Sequence, residues 1–300
     1  MNSWNIDVTE LPSRGQDYPA DTYVKIHPMT VGNCKYLCTL NPDEPIKATR
    51  MLNEVLESCI DTNLEFSKMA WADRNYLLFW LRVNSFIQSN GYELSIDCPY
   101  CGQRINKRLK LDNLEVKYAD ECNFMNEKIQ IGDTEIVVCS NVPLIGEEKF
   151  IAEDKIIEDI LNFTNIREFI PASADPVWFI SKLDAMNFIV LKNIAENSKF
   201  GLEGIINIHC DFCNTKMPVD VDLSDTNMFG RLSLYEILKV QVQVSKYCGF
   251  QVSDDLSYTD VELMQEVIKN LIEEEKAEAE KQKGNFTLSK PNINMPKFHK

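Results

Sequence analysis

Two Cys-x-x-Cys pairs, Cys98-Pro-Tyr-Cys101 and Cys210-Asp-Phe-Cys213, have the residue types and spacing best suited to chemistry in this sequence. Each pair sits at a turn between two runs of alternating residues, which reads as a hairpin with both sulfurs on one side. Two such turns facing each other supply four thiolates in a closed tetrahedral set, the donors of one structural zinc ion. With no coordination position left open, such a site braces a fold and activates no water. Gly102 follows the first pair where backbone amides can turn towards the sulfurs, and Asn214 holds the matching place in the second. A thioredoxin-like redox pair requires a helix starting at its first cysteine, whereas a strand follows each pair here; unligated thiols are the remaining alternative. His209 adjoins Cys210, but strand alternation points it away from that sulfur. The other cysteines (Cys34, Cys38, Cys59, Cys122, Cys139 and Cys248) are scattered; Cys34 and Cys38, four residues apart, could face each other on a helix and hold a second metal, but buried free thiols are the favoured reading of that pair.

Catalytic patterns are missing. There is no Gly-rich phosphate loop, no Gly-x-Ser-x-Gly and no His-Glu-x-x-His, and three histidines offer few acid–base candidates. The expectation is therefore a protein without enzymatic activity. Lys and Arg number 31 against 46 Asp and Glu, a net charge of −15 that disfavours general binding to nucleic acid or anionic membranes. The opening MNSWNIDVTELPSRG lacks the features of a signal peptide, and no apolar run reaches 18 residues, so a reducing compartment is expected, where paired cysteines read as metal ligands.

The elements that must position the cysteines follow from the hydrophobic pattern. Residues 45–60 show helical spacing through Met51, Leu52, Val55, Leu56 and Cys59. Residues 70–89 are apolar on nearly all sides (Trp71, Leu77 to Leu81, Phe86), which predicts a central core helix before the first cysteine hairpin. An Asp184-Ala-Met-Asn-Phe-Ile-Val-Leu run precedes the second hairpin in the same way. Three landmarks recur at similar offsets: Gly32 to Gly146 (114 residues), Asp73 to Asp184 (111) and Cys98 to Cys210 (112). The reading is an α+β chain with an internally duplicated helical unit, whose cysteine hairpins together form a zinc ribbon, followed by C-terminal helices. The expected divisions are an N-terminal arm over 1–23, a first repeat over 24–112, a second over 113–224, C-terminal helices over 225–283 and a basic extended tail over 284–300. One C-terminal helix should end near Gly249 and a second should start after a capping segment at 257–260.

The string Leu11-Pro-Ser-Arg-Gly-Gln-Asp-Tyr-Pro19, followed by Val24-Lys-Ile-His-Pro-Met-Thr30, resembles the opening of the baseplate hub and hub-assembly proteins of T-even-type contractile-tailed phages, with His27 where that family usually has Arg. The resemblance continues through Tyr76–Phe86 and Tyr92 to Cys98-Pro-Tyr-Cys-Gly102, and returns at Leu234-Tyr-Glu-Ile and Tyr247-Cys-Gly-Phe250. It implies a structural or assembly component of a tail baseplate, present in the host cytoplasm during assembly and then in the virion tail. Its partners would be other tail proteins, with no small-molecule substrate and no membrane insertion. Partner contacts are expected at Leu11, Pro12, Gly15, Tyr18 and Pro19, a segment that could equally wrap its own domain. The tail is expected to lie extended on another subunit through Phe286, Leu288, Ile293 and Phe298. The rival reading is a zinc-ribbon nucleic-acid-binding or transcription-associated protein. Gln103, Arg104, Lys107, Arg108 and Lys110 make the first hairpin basic, but Asp220 and Asp222 sit on the second.

Overall fold

A computed structural model describes residues 3–41, 43–86, 93–110, 114–147, 153–229 and 232–286. The chain opens with β1 (Trp4–Ile6), β2 (Val24–Ile26), α1 (Val31–Leu37), α2 (Pro45–Cys59), β3 (Ile60–Thr62) and α3 (Trp71–Ser85). The first cysteine hairpin, β4 (Glu93–Asp97) and β5 (Arg104–Arg108), follows, then β6 (Val116–Lys117), β7 (Asn126–Ile131) and β8 (Thr134–Cys139). Next come α4 (Lys155–Phe163), α5 (Pro176–Ser181), α6 (Ala185–Ser198), β9 (Gly201–Leu202) and the second cysteine hairpin, β10 (Ile205–His209) and β11 (Lys216–Asp220). The described chain closes with α7 (Asp225–Phe229), α8 (Leu234–Cys248) and α9 (Tyr258–Phe286). This mixture of helices with small antiparallel sheets is α+β.

Three apolar clusters organise these elements. The largest joins β2, α1, α2 and α3 with α7, α8 and α9, so the C-terminal helices complete the first core and do not form a unit of their own. Backbone hydrogen bonds fix that union: Val31 N–H donates to Leu256 O (2.9 Å), Gly32 N–H to Asp254 O (2.9 Å) and Tyr258 N–H to Met29 O (2.9 Å). The second cluster is drawn from one continuous stretch, the β7–β8 hairpin with α4, α5 and α6. The third lies between the two cysteine hairpins.

Local signals account for most boundaries. Thr30 caps α1 in a reciprocal box with Asn33, and Pro45 occupies the first turn of α2. Gly249, in the left-handed conformation with φ 72°, ends α8 where expected. α9 begins at Tyr258 and runs to Phe286, three residues into the expected tail. Residues 3–23 differ from the expected arm. β1 pairs with β2 in the three-stranded sheet, and Leu11 is fully buried in the first core.

A buried carboxylate explains why the 11–19 loop lies on its own domain. Asp73, in the first turn of α3 and inaccessible to solvent, accepts hydrogen bonds from Ser13 N (2.7 Å), Ser13 Oγ (2.5 Å) and Tyr18 Oη (2.6 Å). Tyr18 Oη in turn accepts from Ala70 N (2.9 Å), tying the loop to the start of α3. Gly15, at φ +69°, has Val8 Cγ1 only 2.5 Å from where a Cβ would stand, so both the turn and the close approach demand glycine. Arg14 lies over the Tyr118 ring at 3.5 Å, and Ala119 N–H donates to Pro12 O (2.9 Å), so the loop also holds the segment leading to the second lobe.

The proposed repeats match unevenly. Gly32 is within α1 whereas Gly146 is in a turn, and Asp73 is inside α3 whereas Asp184 is the N-cap of α6. Neither pair is structurally equivalent. The β7–β8 hairpin has no counterpart in the first unit, and the β1–β2–β3 sheet has none in the second among the described residues.

Asp73→Ala would leave its buried donors without an acceptor and should cost about 2–4 kcal/mol in urea unfolding. Burial raises the Asp73 pKa despite the bonds from Ser13 and Tyr18 that lower it. In the window above its ordinary carboxylate value the native state therefore binds more protons than the unfolded chain, and this residue's contribution weakens as pH rises through the folded pKa. The stability of the wild type relative to Asp73→Asn should accordingly increase as pH falls from 7 towards about 4. A pH-independent difference would show that burial does not control this group.

Candidate metal centre

The two cysteine hairpins are built alike down to single hydrogen bonds. Asp97 pairs with Arg104 across the first turn and His209 with Lys216 across the second, in ladders of the same length and register. Cys98 N–H donates to Gln103 O (2.9 Å) as Cys210 N–H does to Thr215 O (3.1 Å). Gly102 N–H donates to Cys98 O (2.8 Å) as Asn214 N–H does to Cys210 O (2.9 Å). Gly102 and Asn214 both take positive φ, at 70° and 57°. Asn tolerates this left-handed turn better than most residues with a Cβ. Every one of these equivalences lies 112 residues apart, and so do Ile96 and Ile208, and Ile105 and Met217, which pack between the hairpins.

This packing brings the four sulfurs together. Cys98 Sγ is 3.8 Å from Cys213 Sγ, Cys101 Sγ is 3.6 Å from Cys210 Sγ, and all four lie within 4.8 Å of one another. Disulfide sulfurs would be about 2.05 Å apart. Four thiolates placed tetrahedrally around a metal at about 2.3 Å are separated by about 3.8 Å along each edge. The donor set therefore fits a metal ion. The two close contacts exchange under the 112-residue correspondence, since Cys98 maps to Cys210 and Cys213 to Cys101. Cys98 and Cys210 are buried, and Cys101 and Cys213 face solvent. Phe212 N–H donates to Cys210 Sγ (3.4 Å), and Lys107 of β5 pairs with Asp211 of the facing turn.

Electrostatics in the cluster are uneven. The hydroxyl and backbone N–H of Thr215 hold the Cys213 thiol down at about 6. The Gln103 backbone N–H pulls Cys101 the same way, but its three sulfur neighbours push it up to about 12. Four sulfurs this close cannot all shed their protons without a cation to offset the charge, which is what a metal ion at their centre would do.

Among the described residues no other group of three or more potential ligands converges. Cys34 and Cys59 are buried thiols, both pushed upward chiefly by desolvation, Cys59 to about 12. Cys38 caps α1, and Cys34 with Cys38 belongs to no such group. His209 is exposed and outside the cluster, as alternation requires. Of the expected partner contacts, Leu11 and Pro12 are buried, Gly15 and Tyr18 are half-buried against the chain's own core, and Pro19 is exposed. The side chain of Phe286, and all of Leu288, Ile293 and Phe298, lie outside the described residues. The pattern also held two residues not singled out above: Tyr100 and Phe212, equivalent positions at the tips of the two turns, are 65% and 64% exposed. Their signal was an aromatic residue just before the second cysteine of each pair.

The model of one protein family, described as T4 bacteriophage base plate protein, matches residues 3–175. That span holds the 11–19 loop, α3 and the first cysteine pair, and stops before the second pair. No curated protein and no solved structure matches the chain.

Replacing any one of the four cysteines with Ser should unpin both hairpins together. The expected loss is about 2–4 kcal/mol, the range for a long-range cross-link, read as faster amide exchange across 93–108 and 205–220. Cys248→Ser, on an exposed thiol, should leave that exchange unchanged. If each Ser variant loosened only its own hairpin, the sulfurs would not act as one set.

Proposed function

The chain, matched over more than half its length, belongs to the T4 bacteriophage base plate protein family, and on that premise we propose that it is a hub or hub-assembly component of a contractile tail baseplate, acting through protein–protein contacts and braced by one structural zinc ion. The observation that carries this reading is the family match, which includes the first cysteine turn, joined to a second turn of the same geometry facing it. Cys98, Cys101, Cys210 and Cys213 would hold the zinc. When bound, the ion offsets half of the charge of the four thiolates and links hairpins more than 100 residues apart in sequence. A fourfold thiolate set leaves no position for substrate or water, so the centre serves the fold and not a reaction. The exposed aromatics Tyr100 and Phe212 and the exposed Pro19 suit contacts with other tail proteins. An internal duplication would cover a long helix followed by a cysteine hairpin, α3 with β4–β5 and α6 with β10–β11, and the matched geometry of the two hairpins supports it.

Two of the first hairpin's cations are already engaged within the chain, which counts against the nucleic-acid reading. Lys107 is engaged by Asp211, and Arg108 donates to the carbonyl of Phe86. No helix among the described residues is long and apolar enough to cross a membrane.

Affinity-tagged chain recovered from infected cells should co-purify with tail baseplates or their assembly intermediates, with about one zinc per chain by elemental analysis. Recovery without any tail protein would defeat the baseplate assignment. Recovery with tail proteins but without metal would defeat the zinc assignment alone.

A further inference from the structure

α9 turns one apolar stripe into the first core through Val261, Ile268 and the half-buried Met264 and Ile272, and a second stripe outward. The outward residues Leu263, Val267 and Leu271 recur every four positions and are 45%, 58% and 53% exposed. With Tyr247 and Cys248 at the end of α8 they line a groove of about 670 Å³, whose rim carries Asp260 and Glu275. Acid continues along the exposed end of the helix at Glu273, Glu274, Glu278 and Glu280. A contiguous apolar groove of this kind marks a surface that something covers.

We propose that its occupant is the chain's own segment 287–300, folded back along α9. That segment carries Leu288, Ile293, Met295 and Phe298, together with Lys290, Lys297 and Lys300 and no acid, so it matches the groove in both apolarity and charge. Its prolines, Pro291 and Pro296, favour an extended backbone, and neither can continue a helix. Reach is sufficient. From Phe286 back to Leu271 is about 22 Å of helix, and to Leu263 about 35 Å, at 1.5 Å per residue. Fourteen extended residues span about 46 Å at ~3.3 Å each. An antiparallel return then sets Ile293, Met295 and Phe298 alongside Leu271, Val267 and Leu263. A second copy is a poorer occupant, because it would bring another strongly acidic surface against this acidic rim. This contact does not depend on the zinc ion, and it replaces the expected contact of the same tail residues, Leu288, Ile293 and Phe298, with another subunit.

A photo-crosslinking benzoylphenylalanine placed at Val267 of the full chain tests it. Val267 is exposed, so the replacement leaves the core intact. The expected product joins position 267 to a peptide from 287–300 within a single chain. Leu271→Glu, which puts a charge in the groove, should reduce the yield about tenfold. Lys290→Glu, Lys297→Glu and Lys300→Glu combined should reduce it as well, more strongly at low salt than at high. Crosslinks between two chains, crosslinks only to residues before 287, or yields unmoved by both sets of substitutions would each overturn the assignment.

Discussion

Helix α3 has almost no face suited to water. Leu77, Leu78, Phe79, Trp80 and Leu81 are buried in succession, more than a full turn of helix, so cover must arrive from every side. It comes from α2, from α7 and α9, and from β9, elements far apart in the chain. Gly201 of β9 approaches α3 so closely that a Cβ there would stand 3.2 Å from Ala72 Cβ. Polar side chains on α3 are taken inside with the rest, and each must be met there. Asp73 is met by Ser13 and Tyr18, while Arg74 donates to Asn53 (2.6 Å) and Asn75 (2.8 Å) and lies over the Trp71 ring. The wrapped N-terminal loop is thus a consequence of where α3 had to go.

The cysteine hairpins face the opposite difficulty. A two-stranded hairpin is marginal in water; Leu109, Ile206 and Val221 tie the bases of these two to the first core, but the cluster shared by their turns has only Cys98, Ile105, Cys210 and Met217 fully buried. So small a cluster is a weak brace, which is why the convergence of four sulfurs matters more here than it would inside the first core. The shared register makes the arrangement self-consistent, because each turn presents its buried sulfur to the exposed sulfur of the other.

Much of this was legible in the sequence for physical reasons. The cysteine turns were visible because ligand spacing and strand alternation are local, and the same holds for α2, α3 and the Gly249 stop. The structure left other expectations behind where tertiary contacts decide. Tyr18 reads as an arm residue because nothing nearby in sequence announces the Asp73 carboxylate it serves, and Leu11 because nothing there announces the core it enters. The repeat offsets misled at Asp73 and Asp184, since an acidic residue near a helix start can be a cap or an inward-facing group. The β7–β8 hairpin carries a signal, Gly132-Asp133 between alternating apolar residues, which the offsets of the repeat hide because the first unit has no such hairpin. Membership of the first core by α7, α8 and α9 left no mark in their own sequences.

That discontinuous core bears on the order in which the protein can take shape as it is made. The second lobe draws its cluster from one unbroken stretch and can close as soon as that stretch has left the ribosome. The first lobe cannot: Phe86 packs against Tyr258, with ring centroids 5.2 Å apart, and Tyr258 is translated 172 residues later. At about 5–20 residues per second the delay is roughly 10–35 s. During that interval α3, buried on nearly every side in the finished protein, has been synthesised but the cover it takes from α7 and α9 is not complete. The part encoded first is therefore finished last, and nascent-chain chaperones would find their main substrate in α3.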